Sequence, residues 1–301
     1  MSAQADSLDT LGKAGEKTEK PWLAVLLMAS AMLCFTTLDS VMRALYAEHP
    51  LSMLVFIRNL VQVVALSLLV PVLGPRIVVT RRIGIHVLRG ACMVLTTVFI
   101  TLSLGNLPMA QTYSITFSTP LMASVLAAIA LGERPSPLQW VCIVIGFAGV
   151  VIVLNPEELV VSGALVYPLA MAFFNALLYV LTRYGGREDG PLTLVFWASL
   201  AALVICLAGL PFYAVAIPMS AYLLLIAGGT FGTLGHLMIA AAFRRAPTAV
   251  VSPLLYSQIV WATLIGWFVF GEIPEPHVAV GSVVVIASGV AVLRMGAPGR
   301  R

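Results

Sequence analysis

The sequence predicts an all-α integral membrane protein, with ten transmembrane helices arranged as two inverted five-helix repeats. Three observations carry that prediction. The chain of 301 residues is 60% apolar and only 10% charged, where soluble domains carry about 25% charged residues. Its apolar runs reach the length needed to cross hydrocarbon, about 20 residues of helix. The second half also repeats the first at an offset of 139 residues, most visibly where GERP (132–135) returns as GEIP (271–274).

Residues 1–21 open with MSAQADSLDTLGKAGEKTEK, which is polar and mixed in charge, and read as a disordered cytoplasmic tail. The apolar segment that follows is too long for a signal-peptide core and shows no convincing cleavage site, so it is expected in the mature protein. Cutting the chain at Pro, Gly and charge clusters then yields ten spans. They cover residues 22–45, 51–73, 84–104, 109–131, 138–154, 162–183, 192–212, 221–243, 248–270 and 277–293. Connections are short, which favours antiparallel neighbours. The fifth and tenth spans are short enough to stand upright or to thin the bilayer locally. Residues 294–301 form a basic cytoplasmic tail.

Loop charges set the orientation, because Lys and Arg accumulate on the cytoplasmic side. With the N-terminus inside, that side receives Lys13, Lys17, Lys20, Arg76, Arg81, Arg82, Arg134, Arg183, Arg187, Arg244, Arg245, Arg294, Arg300 and Arg301. The outer side receives Arg43 alone, together with Glu48, Glu157, Glu158, Glu272 and Glu275. Both termini are therefore expected in the cytoplasm.

The repeat extends beyond the two GE pairs. Pro108 falls on Pro247, Pro135 on Pro274, Gly90 on Gly229, and Ala31-Met32 with Phe35 on Ala170-Met171 with Phe174. The repeats read as residues 22–154 and 162–293. Five is an odd number, so the second repeat enters the membrane from the opposite side. Accordingly, the basic loop at 76–82 corresponds to the uncharged PFYAVAIPMS after span seven. Inverted repeats of this kind commonly build a binding site near the bilayer midplane.

Several function classes are excluded early. The net charge of +4 comes from basic residues in short loops, with no basic-aromatic face for nucleic acid. Cys34, Cys92, Cys142 and Cys206 all lie inside apolar runs, without metal-ligand spacing, and read as packing residues. No metal, cofactor or GxxxxGK[ST] nucleotide loop is expected. A membrane-embedded enzyme would need a clustered metal site or a nucleophile with its base, and the pattern offers neither.

The stretches LGNLPMAQTYSITFSTPLMASVLAAIALGERPSPLQWVCIVIGFAGVVIVL (104–154) and FRRAPTAVVSPLLYSQIVWATLIGWFVFGEIPEPHVAVGSVVVIASGVAVL (243–293), with FIRN (56–59), resemble the drug/metabolite transporter superfamily. The resemblance is to its EamA-type, ten-helix members and spans residues 22–293. It implies a multi-pass carrier of the bacterial inner membrane, usually an exporter, with its cavity between the repeats. Some members of the superfamily instead import vitamins or nucleoside-like metabolites, of the riboflavin or S-adenosylmethionine type. Others export amino acids or opine-type metallophores. The expected partners are a small-molecule substrate and the lipid bilayer; a monomer suffices, and an oligomer stays open. A non-transporting membrane subunit is the remote alternative.

Candidate substrate residues follow from what hydrocarbon penalises. A charge at the bilayer centre costs about 2.5–3.5 kcal/mol on the gentlest scale, so buried ionisable groups are functional candidates. Asp39 and Arg58 lie at similar depth on adjacent spans and can pair, while the second repeat offers Leu178 and Ala198 or Ser199 in their places. The competing reading pairs Asp39 with Arg43, one turn on. Arg89 can snorkel to the cytoplasmic surface. His236, mid-span, is a candidate for substrate contact or proton coupling, as is Asp39. Spans four and nine carry matched polar-aromatic stretches that contribute Tyr113, Ser114, Phe117, Tyr256, Gln258 and Trp261, joined by Asn175, Tyr179 and Trp197. Aromatics supply stacking area there, and amides fix orientation.

Overall fold

Proline and glycine place the helix ends. The computed structural model describes residues 21–74, 78–131, 136–154, 163–185, 189–213, 215–243 and 252–295. Within them the α-helices are α1 (Pro21–Tyr46), α2 (Leu51–Leu73), α3 (Ile83–Asn106), α4 (Met109–Thr116), α5 (Thr119–Leu131), α6 (Pro137–Leu154), α7 (Val166–Gly185), α8 (Pro191–Tyr213), α9 (Met219–Phe243), α10 (Ser257–Phe270) and α11 (Pro276–Arg294). Short 3-10 turns at Gly163–Leu165 and Ser252–Tyr256 lead into α7 and α10, and no strand occurs among the described residues. Helices α1, α6, α8 and α11 start on a proline, where the missing N–H is one the helix could not use. The tails 1–20 and 296–301 and the GERP copy of the repeated phrase lie outside the described residues.

Seven segments are long and apolar enough to cross a membrane: α1, α2, α3, α4 with α5, α7 with its leading turn, α8 and α9. Shorter apolar helices are α6, α11, and α10 with the end of its turn. The sequence expects two short spans, the fifth and the tenth. Of the ninth span, residues 248–251 lie outside the described residues, and residues 252–256 wind as a 3-10 segment ahead of α10. The outer surface confirms the solvent: Leu68 is 73% exposed, Phe268 75% and Val72 80%. Apolar side chains so uncovered belong against lipid.

Span four is broken. Pro120 has no N–H to give the carbonyl of Thr116, so the helix stops at Thr116 and restarts at Thr119. The Thr119 hydroxyl donates to that freed carbonyl at 2.6 Å, which keeps the break satisfied inside the bundle.

The halves hold each other rather than themselves. The most extensive packing joins α1 to α9, α6 to α11, α3 to α7 and α8, and α2 to α8 and α9. Close approach depends on small residues. At Gly281 of α11 an added Cβ would fall 2.8 Å from the Gly149 carbonyl oxygen and 2.9 Å from the Val153 nitrogen, both backbone atoms of α6. Backbone cannot step aside. Gly281→Val is therefore expected to cost about 3 kcal/mol of stability, an overpacking penalty at the upper end. A thermal melt of the detergent-solubilised protein should show it.

Candidate substrate site and its flanking polar clusters

Near the middle of the bundle, polar side chains from six helices converge. The Tyr113 hydroxyl (α4) donates to Asp39 Oδ2 (α1) at 2.6 Å. Gln258 (α10) and Thr36 (α1) also lie within hydrogen-bonding reach of that hydroxyl. Arg58 (α2) donates through Nη1 to Thr97 Oγ1 on α3, and the Thr97 hydroxyl in turn donates to the Met93 carbonyl at 2.9 Å. Arg58 feels the charge of Asp39 but makes no contact ion pair with it among the described residues, and its Nε is buried without a partner. His236 (α9) lies near enough to Arg58 to feel its charge, with its ring edge-on to Phe35 at 4.9 Å. Two opposite charges thus stand near each other in hydrocarbon, each anchored from one side and each retaining hydrogen-bonding capacity. Such a pair can receive a ligand bearing both signs.

An aromatic wall adjoins this cluster. Phe117 and Tyr256 meet at 4.9 Å between ring centroids, and they stand 139 residues apart, so each occupies the other's place in the repeat. Phe99 and Phe174 stack at 5.7 Å. Asn175 lies beside the Tyr179 hydroxyl, and Tyr179 in turn lies near Tyr256.

Of the residues singled out in the sequence, Asp39, Arg58, Tyr113, His236 and Gln258 come together, with Tyr256, Asn175, Tyr179 and Phe117 beside them. Three stand apart. Ser114 bonds the Ala110 carbonyl and Ser282 Oγ, at 2.7 and 2.5 Å, and so ties α4 to α11. Trp261 donates to the Ala29 carbonyl at 3.0 Å and packs α10 on α1. Trp197 stacks on His86 near the end of the bundle where α3 and α8 begin. A separate cavity of about 310 Å³ between α4, α10 and α11 is lined by Ala110, Ile259, Thr263 and Val278 among others, and holds no ionisable group.

Sequence reasoning missed Thr36 and Thr97, which nothing in the pattern distinguishes from ordinary helix threonines. It also left Glu272 as a loop charge. In fact Gly271 takes φ 69°, the left-handed conformation that closes α10, and turns Glu272 back into the bundle. Glu272 Oε2 accepts the Met109 N–H at 2.8 Å, capping α4, while Oε1 pairs with Arg43 at 2.5 Å. The Arg43 guanidinium also lies 4.2 Å above the Phe270 ring. Arg43 is therefore engaged away from Asp39, which sets aside the pairing of those two.

At the opposite end a second cluster surrounds His86, a residue the sequence reading passed over although His86 and Arg89 share one face of α3. His86 Nε2 lies 3.0 Å from Asp189 Oδ2, in the α7–α8 connection. Arg89 does not snorkel. It is 4% exposed and reaches across to the Leu194 carbonyl at 2.6 Å and Thr182 Oγ1 at 3.2 Å.

The comparisons with known proteins agree with this architecture. The chain is 27% identical over 278 residues to a riboflavin transporter of Vibrio cholerae, covering 89% of this chain and 92% of the relative. It is 24% identical to an S-adenosylmethionine uptake transporter of Rickettsia bellii over 71% of this chain and 73% of that one. The pseudopaline exporter CntI of Pseudomonas aeruginosa is 25% identical over 90% of this chain and 95% of the relative. One solved crystal structure matches with a TM-score of 0.61 at 18% identity, covering 90% of this chain and 96% of the other, a likeness of fold. All three relatives are named as transporters of small molecules. The profile of the EamA-like transporter family matches twice, over residues 22–155 and 162–294, and the chain belongs to that family.

Proposed function

We propose that this protein is a secondary carrier of small zwitterionic metabolites, built from two inverted five-helix repeats that rock about the Asp39–Arg58 site. The single observation that carries the reading is that site: two opposite charges held in hydrocarbon, not in contact with each other. The Asp39 carboxylate suits an ammonium or other cation, and the Arg58 guanidinium suits a carboxylate. Exchanging the halves supports the repeat, because α1–α9 then becomes α7–α3, α2–α9 becomes α8–α3, and α6–α11 becomes itself. The loop charges support both termini in the cytoplasm, and the membrane proposed is the bacterial inner one, which the family resemblance implies.

Cargo chemistry follows from what stands beside the charges. An amino-acid-like head fits Asp39 and Arg58, and a flat ring fits the wall of Phe117, Tyr256 and Tyr179. Amino acids and opine-type metallophores satisfy the first, flavins the second, and S-adenosylmethionine satisfies both. Export is the direction proposed, with uptake its alternative. Energy comes from an ion gradient, with Asp39 and His236 as proton sites, or from the cargo's own gradient.

Proteoliposomes holding the full chain test this. Radiolabelled S-adenosylmethionine is expected to leave preloaded vesicles saturably, faster with a pH gradient, and with competition from excess amino acid. Leakage equal to that of protein-free vesicles, for this probe, riboflavin and an amino-acid mixture alike, would remove the reading.

A further inference from the structure

The His86 cluster has a chemistry that the substrate site does not use. Thr80, just before α3, donates its hydroxyl to Asp189 Oδ2 at 2.8 Å and lies 3.0 Å from His86 Nε2. Arg89 Nη1 lies 3.2 Å from His86 Nδ1. Trp197 of α8 covers the ring at 6.1 Å between centroids, and the imidazole is 1% exposed. Among the described residues, Arg89 on its own helix and Asp189 are the charged groups that touch it. Helix α7 contributes Thr182 and α8 the Leu194 carbonyl, both bonded to Arg89. The bonds of Thr80 and His86 to Asp189, and of Arg89 to Thr182 and Leu194, join the first half of the chain to the second.

Donor and acceptor rules assign the protons. A guanidinium has N–H donors and no acceptor. Nδ1 of His86 must therefore accept from Arg89, which leaves the ring proton on Nε2, facing Asp189 and Thr80. The ring is neutral in this arrangement, and the buried charges of Arg89 and Asp189 balance. Adding a proton to Nδ1 would turn an N–H toward an N–H and leave one uncompensated positive charge in a dry pocket. Arg89 cannot swing away, because α7 and α8 both hold it. The favourable way out is for α3 to part from α8 and the α7–α8 connection, so that water reaches the imidazolium.

We propose that His86 is a proton-binding site that controls this end of the carrier: neutral, it latches α3 to the second half, and protonated, it releases it. The open form binds the extra proton, so a fall in pH on that side favours opening. The purpose of opening rests on the alternating-access reading, but the latch can be tested without any cargo. It places a proton site at a gate, apart from Asp39 and His236.

Hydrogen–deuterium exchange of the full chain in lipid nanodiscs measures the latch directly. The amides of residues 83–90 and 190–197 are compared at about pH 8 and about pH 5, after correction for intrinsic rates. One proton can shift an equilibrium by up to about tenfold per pH unit, so wild type is expected to exchange at least about tenfold faster in acid. In His86→Gln the amide carbonyl still accepts from Arg89 and the amide nitrogen still donates to Asp189, so exchange should stay slow at both pH values. His86→Lys should be fast at both. Wild-type exchange that ignores pH overturns the proposal, as does an acid response that survives in His86→Gln. Should His86→Lys fail to fold, the first two proteins decide alone. A cargo that never moves would count against the transport reading and leave this result standing.

Discussion

Asp39→Asn is expected to lower transport about tenfold to a hundredfold while the protein still folds. Asparagine keeps the volume of aspartate and can still accept the Tyr113 hydroxyl that now lies 2.6 Å away. What it loses is the charge offered to a cationic group on the cargo. Hydrogen bonds to charged groups contribute about 1.5–3 kcal/mol, and each 1.4 kcal/mol is a factor of about ten. The variant also leaves the Arg58 guanidinium without its counter-charge, so some stability should go with the activity. A double variant separates the two effects. If Asp39 and Arg58 served only to neutralise one another, Asp39→Asn with Arg58→Gln would recover both melting temperature and transport. The substrate reading expects recovery of the melting temperature alone. Initial rates in proteoliposomes beside thermal melts of the same preparations decide between them.

Glu272→Ala is expected to destabilise the protein by about 2–3 kcal/mol, the cost of stranding groups that bond a charge. One carboxylate serves two elements: it pairs with Arg43 at the end of α1 and caps the N-terminus of α4 at Met109. Its side chain is 18% exposed, so water only partly replaces it. Glu272→Gln should recover close to half of the loss, because the amide oxygen still accepts the Met109 N–H while the ion pair is gone. Equal melting temperatures for wild type and Glu272→Ala would show that the clamp holds nothing.

Much of the fold was legible because hydrocarbon punishes ambiguity. Pro50, Pro137, Pro191 and Pro276 mark helix starts in the sequence, and α2, α6, α8 and α11 begin on or beside them. The interruption of span four was less legible. Pro120 lies inside the span, and a proline in a membrane helix can be absorbed by a gentle kink. Only the geometry shows that Thr119 rescues the stranded carbonyl of Thr116.

The candidate substrate cluster was half visible for a similar reason. Asp39, Arg58 and His236 stood out because ionisable groups are rare and costly inside spans. Thr97 did not, since threonine in a helix ordinarily bonds the carbonyl one turn back, and Thr97 does that as well. Glu272 was hidden by its place outside a span, which made it look solvated. His86 and Asp189 were hidden by distance along the chain, because a contact across about a hundred residues has no local spacing to betray it. Tryptophan misled in the other direction: Trp197 and Trp261 looked like cavity walls, and they pack helices instead.

The embrace between α1 and α9 sets a schedule for biosynthesis. After α1 leaves the ribosome, the first residue of its main partner is still more than 170 positions away. At about 5–20 residues per second, that is a wait on the order of ten seconds or longer. Until then the flank of α1 that carries Phe35, Leu38 and Val41, which packs on the glycines of α9, faces lipid uncovered. A newborn chain stalled at that stage presents quality control with an unpartnered helix flank, so weak variants of α9 would vanish by degradation before any defect in transport could be scored.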